Sequence, residues 1–137
     1  MTRFVITALV VSHLAASVWH GNAHTSLAID LPVAKTLFVY VVILIAPIVA
    51  ALLVWTRYIS IGLWMLLVAM LGSFLFGAYH HFLLVSPDNI GHLPAGPPAM
   101  HSQFITSAVA IALIELTSAL YGAYCLGAYR SQSRGLV

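Results

Sequence analysis

The side chains in this sequence that are best suited to chemistry are its histidines. Seven occur in a chain of 137 residues that has only five Lys and Arg and three Asp and Glu. Neutral imidazole is the commonest protein ligand for metal ions, and it suits copper, zinc, iron and nickel. Two pairs are close in sequence, His20 with His24 and His80 with His81. This pattern predicts a transition-metal site, provided that the fold brings the pairs together.

The elements that must position these histidines are predicted to be membrane helices. The chain is 62% hydrophobic and 6% charged, whereas about a quarter of the residues in soluble domains are charged. Runs of about 20 apolar residues match a hydrocarbon core of about 30 Å, and unpaired backbone groups in lipid require each run to be helical. We predict an all-α integral membrane protein, one domain over residues 1–137, with helices at about 4–24, 33–55, 59–85 and 101–129.

Short connections between these helices predict an antiparallel four-helix bundle. Pro47 is expected to kink the second helix.

Lys and Arg concentrate on the cytoplasmic side of membrane proteins, and here all but Lys35 lie at one end of the bundle. We therefore expect a multi-pass protein of a bacterial inner (plasma) membrane with both termini in the cytoplasm, where they accompany Arg3, Arg57, Arg130 and Arg134.

Residues 1–23 allow an alternative interpretation as a secretory signal. Arg3 is followed by an apolar stretch and then by small residues in the sequence GNA. Cleavage there would leave His24 as a new N-terminus that could chelate metal. We favour an uncleaved first helix.

In this topology six histidines gather at the non-cytoplasmic end of the bundle. Helical periodicity places His13, His20 and His24 within about 40° of one another. For the third helix we expect His80 to face inward rather than His81, by a narrow margin. Oxygen atoms from Asp30, Asp88 and Asn89 are expected to bind the metal or to orient the imidazoles. The predicted metal ligands are His20, His24, His80, His81, His92 and His101.

Glu115 is a carboxylic acid in the middle of the fourth apolar segment. It lies 14 residues beyond His101, which corresponds to roughly 21 Å along a helix. Carboxylates within a membrane are costly and are functional candidates for that reason. We predict that Glu115 and the similarly deep His13 relay protons, and the alternative for Glu115 is a structural hydrogen bond to Ser73 or Thr117.

Three classes of function are consistent with these patterns. The leading one is a membrane metal protein with redox or oxygenase chemistry, in which copper is favoured over iron or zinc because imidazoles are abundant and thiolates are absent from the site. Its partners would be the lipid bilayer, a quinone or small apolar substrate, and other membrane subunits or copies of itself. One alternative is a haem b subunit that transfers electrons from a quinol. The other is a non-catalytic accessory subunit or metal-transport component. The net charge of +2 gives no reason to expect nucleic-acid binding.

Overall fold

The computed structural model describes the backbone of residues 2–134 and the side chains of residues 2–131. Met1 and residues 135–137 of the predicted domain lie outside this part, as does the side chain of Arg134. The described residues form no strand, and four helices in them are long and apolar enough to cross a membrane. The all-α prediction with four such helices is confirmed, while membrane insertion and the sidedness of the termini stay predictions. The helices are α1 (Thr2–Ser26), α2 (Val33–Leu53), α3 (Ile59–Leu83) and α4 (Pro98–Arg134).

Two of the helices contain a π-helical turn. In α2 the π-helical segment Val39–Ile45 ends two residues before Pro47. Proline has no N–H to donate to the carbonyl four residues earlier, and its ring crowds that carbonyl, so the preceding turns widen. In α3 the last turn, Tyr79–Leu83, is also π-helical and carries His80 and His81. Such turns change the angular spacing of side chains, which bears on the direction in which the two histidines point.

The contacts between helices define their order around the bundle. α4 packs against both α1 and α3, and α3 also packs against α2. α1 contacts the second half of α2, Ala46–Leu53, more closely than the first half. Near the start of α1 the Trp55 indole N–H donates to Thr7 Oγ1 at 3.0 Å, and Trp55 meets the Phe4 ring edge to face. α1 and α2 are therefore joined at one end and diverge toward the other.

Buried apolar side chains form two clusters at opposite ends of the bundle. The larger cluster includes Ile6, Leu66 and Met70, and it lies at the end where α1 begins. Gly62 allows α3 to approach α2 closely there, because an added Cβ would meet the Ala50 carbonyl oxygen at 2.9 Å. The smaller cluster lies at the opposite end, which we call the histidine end, and consists of Ala23, Leu27, Ile29 and Phe104.

The outer surface of the bundle is strongly apolar. Large exposed hydrophobic side chains occur along all four helices, whereas soluble monomers rarely expose a large continuous apolar surface. This distribution fits a bundle surrounded by lipid. The exposed set includes Val18, Tyr40, Val68, Leu75, Leu113 and Leu120.

Candidate metal centre

The structure brings three imidazoles together at the histidine end. His20 and His24 lie one turn apart on α1, and His81 lies in the π-helical turn of α3. One ring nitrogen from each of the three lies within 4.8 Å of the others, which is a spacing that could hold a metal ion. We call this group the histidine trio. His20 is buried, and the other two are partly buried.

The tautomer of His20 follows from its hydrogen bonds. Its Nδ1 lies 2.8 Å from Ser107 Oγ, and that hydroxyl donates its own proton to the carbonyl oxygen of Gln103 at 2.6 Å. Ser107 must therefore accept a proton from His20 Nδ1, which leaves a free lone pair on Nε2. This nitrogen lies 3.2 Å from His24 Nε2. A proton or a cation between the two nitrogens is what makes such a short separation favourable.

Asp88, in the loop after α3, fixes the orientation of the second and third imidazoles. His81 Nδ1 donates to the backbone carbonyl of Asp88 at 3.0 Å, so Nε2 is the nitrogen of His81 that remains to bind a metal ion. The carboxylate atom Oδ1 lies 3.1 Å from His24 Nε2 and 3.2 Å from His81 Nδ1. Burial opposes ionisation of this carboxyl, but the adjacent His24 and His81 outweigh that effect and hold the pKa of Asp88 well below its usual range. A negative charge therefore sits beside the three imidazoles.

The distances between these atoms are similar to those between ligand atoms that surround one metal ion. Bonds of about 2.0 Å at tetrahedral angles separate ligand atoms by about 3.3 Å. Two separations are close to this value. The Nε2 atoms of His20 and His24 lie 3.2 Å apart, and His24 Nε2 lies 3.1 Å from Asp88 Oδ1. The longest separation in the trio, 4.8 Å, exceeds this value, so those nitrogens would have to move roughly 1.5 Å closer to hold one tetrahedral ion.

Phe104 of α4 completes the packing around the trio. Its ring centroid lies 4.6 Å from that of His20, 5.1 Å from that of His24 and 5.4 Å from that of His81. Phe104 is fully buried and belongs to the smaller apolar cluster. An apolar wall of this kind restricts the rotation of the imidazoles and excludes water from one side of the site.

The other predicted ligands lie away from the trio. His80 faces α2, where its Nδ1 lies 3.3 Å from Lys35 Nζ. Its ring also contacts Phe76, one turn earlier on α3. His92 Nδ1 lies 3.3 Å from the Asn89 side-chain oxygen in the loop. His101 Nε2 lies 2.8 Å from the Pro94 carbonyl oxygen, to which it donates. These histidines stabilise the helix ends and the loop between α3 and α4.

The three residues predicted to assist the metal have different positions. Asp88 adjoins the trio, as described above. Asn89 holds the loop by donating to the Leu84 carbonyl at 3.1 Å and by accepting from the Gly91 N–H at 2.9 Å. Asp30 is exposed at the rim of a cavity beside the trio.

Deeper in the bundle, His13 and Glu115 form a buried pair. His13 Nε2 lies 3.1 Å from Glu115 Oε1, and the two residues are 0% and 1% exposed. Neither the predicted partner Ser73 nor Thr117 makes a hydrogen bond with Glu115 in the described structure; Ser73 Oγ is buried with no partner at all. The proton-relay function of His13 and Glu115 stays a prediction.

A cavity of about 800 Å³ connects the trio with Glu115. It lies where α1 diverges from the first half of α2, and all four helices line it. Small residues on three helices leave the space open: Gly21, Gly77, Ala108 and Ala112. An ion held by the trio would therefore face this cavity.

Sequence analysis did not identify two residues that shape the site, Ser107 and Phe104. A signal was present for the serine, since Ser107 adjoins Ala108 on the face of α4 that also carries Ala112 and Glu115. No comparable pattern distinguishes Phe104 from the many exposed aromatic residues.

Comparison of the chain with protein-family models, with curated proteins and with solved structures found no match.

Proposed function

We propose that this chain is a membrane-embedded metal protein in which His20, His24 and His81 bind one transition-metal ion. The observation that carries the proposal is the convergence of three imidazoles from two helices beside a buried carboxylate. His20 and His81 each have one ring nitrogen engaged by Ser107 or by the Asp88 carbonyl, so the other nitrogen is free to bind metal. Metal-binding histidines in proteins are oriented in the same way by second hydrogen bonds.

Copper is the ion that we favour, with iron and zinc next. Three neutral imidazoles suit all of these ions, and Cu²⁺ binds such ligands most strongly among the divalent first-row metals. Asp88 offsets part of the positive charge, which matters because an uncompensated charge in an apolar bundle is costly. An ion with three or four protein ligands beside an 800 Å³ cavity would retain a position for an external ligand. This arrangement supports redox or oxygenase chemistry at the non-cytoplasmic face, either in this chain alone or in a larger membrane complex.

The geometry favours a single ion over haem b. A bis-histidine haem needs a flat slot between two imidazoles on different helices. The rings of His20 and His81 instead contact each other edge to face, with centroids 4.8 Å apart, and Phe104 packs against both. Reduced-minus-oxidised optical spectra test this directly, because a haem protein gives a sharp α band and a histidine-bound ion does not.

Metal analysis of matched variants tests the proposed site. The detergent-purified protein is stripped with a chelator, reloaded separately with Cu²⁺, Zn²⁺ and Fe²⁺, and measured for metal content and affinity. His81→Ala should weaken binding by at least about 100-fold, because loss of an orienting residue alone costs about 10- to 100-fold. The adjacent His80→Ala and the loop variant His92→Ala are controls that should retain the affinity of the unmodified protein.

Equal losses in His80→Ala and His81→Ala would contradict the proposed ligand set. Failure of the unmodified protein to bind any of the three metals above background would contradict the function itself. A non-catalytic or transport role would be favoured by exchangeable metal that supports no oxidation chemistry.

A further inference from the structure

The wall of the cavity has polar groups at two levels. His81, Gly77 and Ser73 lie four residues apart on α3 and all line the cavity. Gly77 separates the trio from Glu115, since a Cβ built on it would lie 3.7 Å from the His81 ring and 3.9 Å from Glu115 Oε2. Polar atoms therefore occur at two levels, at the trio and, deeper in the cavity, at Glu115 and Ser73.

Ser73 is the residue that indicates a missing ligand. Its hydroxyl oxygen is completely buried and has no hydrogen-bond partner in the described structure. A buried polar group without a partner costs roughly 1–3 kcal/mol. A molecule in the cavity with a hydrogen-bonding oxygen would remove that cost.

The cavity opens sideways, toward the surface that faces lipid. Val18 and Tyr40 line it from α1 and α2, and they are 73% and 57% exposed. Both lie well inside the apolar spans Thr2–Ser26 and Val33–Leu53. A molecule dissolved in the bilayer could therefore enter between the two helices without crossing water.

The charges around the cavity exclude one class of lipid-soluble molecule. Among the described residues its lining includes Asp30, Asp88 and Glu115 but no Lys or Arg. In the metal-free protein a fatty acid or a phospholipid headgroup would bring an anion next to these carboxylates, with no Lys or Arg in the lining to pair with it. A neutral molecule with hydrogen-bonding oxygens does not meet this penalty. The volume of about 800 Å³ also lies within the range of pockets that enclose small organic ligands.

We propose that the cavity binds a quinone or quinol, with one ring oxygen toward the histidine trio and the other toward Ser73 and Glu115. The flat ring has oxygens on opposite sides, which matches polar groups at two levels in an otherwise apolar cavity. The isoprenoid tail would leave between Val18 and Tyr40 into the bilayer. This assignment names a substrate for the proposed metal site and rests on that function, although the binding itself is measurable without metal.

The test uses decylubiquinone and the full chain in phosphatidylcholine nanodiscs, with and without Cu²⁺. Ala112→Phe fills the cavity from α4 and should weaken quinone binding at least 10-fold. Leu113→Phe is the matched control, because Leu113 is the next residue on the same helix and is 61% exposed to the lipid side. Ser73→Ala should weaken binding about five-fold, the loss of one neutral hydrogen bond. It should raise the thermal stability of the ligand-free protein, because it removes a buried hydroxyl that has no partner in the described structure.

Metal content measured in the same samples separates the two proposals. Quinone binding that is saturable, lost in Ala112→Phe and independent of metal content supports the cavity assignment, even if no variant binds metal and the proposed function fails. Equal binding by Ala112→Phe and Leu113→Phe would overturn it. So would tighter binding of oleate than of decylubiquinone, or cross-linking that shows a helix of a second copy in the cavity.

Discussion

Asp88 offers the sharpest test of how the site holds its ion. Asp88→Asn keeps the size of the side chain and leaves the backbone carbonyl, which accepts from His81 Nδ1 at 3.0 Å, in place. It removes only the negative charge that lies 3.1 Å from His24 and 3.2 Å from His81. Any change in affinity is then attributable to the carboxylate, through its charge or its contact with His24, and not to loss of the backbone hydrogen bond that orients His81.

The expected loss of affinity for Cu²⁺ is about 10- to 100-fold. Replacement of a carboxylate that orients or neutralises a metal site has effects of this size, and they correspond to about 1.4–2.8 kcal/mol of binding free energy. Competition with a chelator of known affinity, at fixed pH and ionic strength, measures the dissociation constant in detergent. Asp30→Asn is the matched control, because Asp30 carries the same charge at the same end of the bundle but is exposed.

Two results would refute this reasoning. An Asp88→Asn protein with the affinity of the unmodified chain would show that the carboxylate does not act on the ion. Equal losses in Asp30→Asn and Asp88→Asn would show that the effect arises from the overall charge of the histidine end and not from the contacts with His24 and His81.

Three further predictions concern stability. His13→Ala leaves the buried Glu115 carboxyl without its hydrogen-bond partner and should lower the free energy of unfolding by about 1–3 kcal/mol. Denaturation in SDS measures it, and a smaller loss in Glu115→Gln would agree with retention of one hydrogen bond. Gly62→Ala should lower the free energy of unfolding by about 1–3 kcal/mol, because the added methyl group overpacks the contact between α3 and α2. Gly127→Ala has open space around its Cβ and should leave the free energy of unfolding unchanged in the same assay. Because the fold lowers the pKa of Asp88, its carboxylate stabilises the fold above the unfolded-state pKa of about 3.9. The stability difference between the metal-free protein and Asp88→Asn should therefore persist as the pH falls to about 4 and disappear only in stronger acid. A difference already lost at pH 6 would contradict the assigned direction.

The sequence was sufficient to predict the helical architecture because lipid imposes strict conditions on a chain. Apolar runs of spanning length have to be helices, and short connections have to join neighbours. The helix limits accordingly differ from the predicted ones by only a few residues at most ends, and by five at the end of α4. Pro47 was expected to kink α2, and the structure has the π-helical segment Val39–Ile45, which ends two residues before this proline.

The choice between His80 and His81 could not be made from helical periodicity. α3 packs against α2 on one side and against α4 on another, and His81 meets His20 of α1, so both histidines are inside the bundle. The π-helical turn Tyr79–Leu83 also departs from the 100° spacing on which the prediction relied. The structure directs His80 to Lys35 and His81 to the trio.

The sequence by itself determined that imidazoles would gather at one end of an apolar four-helix bundle. Composition and spacing fix which residues share a helix face and at what depth. Only the tertiary structure decided that His13 meets Glu115, that Asp88 folds back beside His24, and that α1 and α2 diverge to leave a cavity. Each of these depends on the register and crossing of separate helices, which are set by side-chain packing across the bundle, and no local pattern along the chain encodes them.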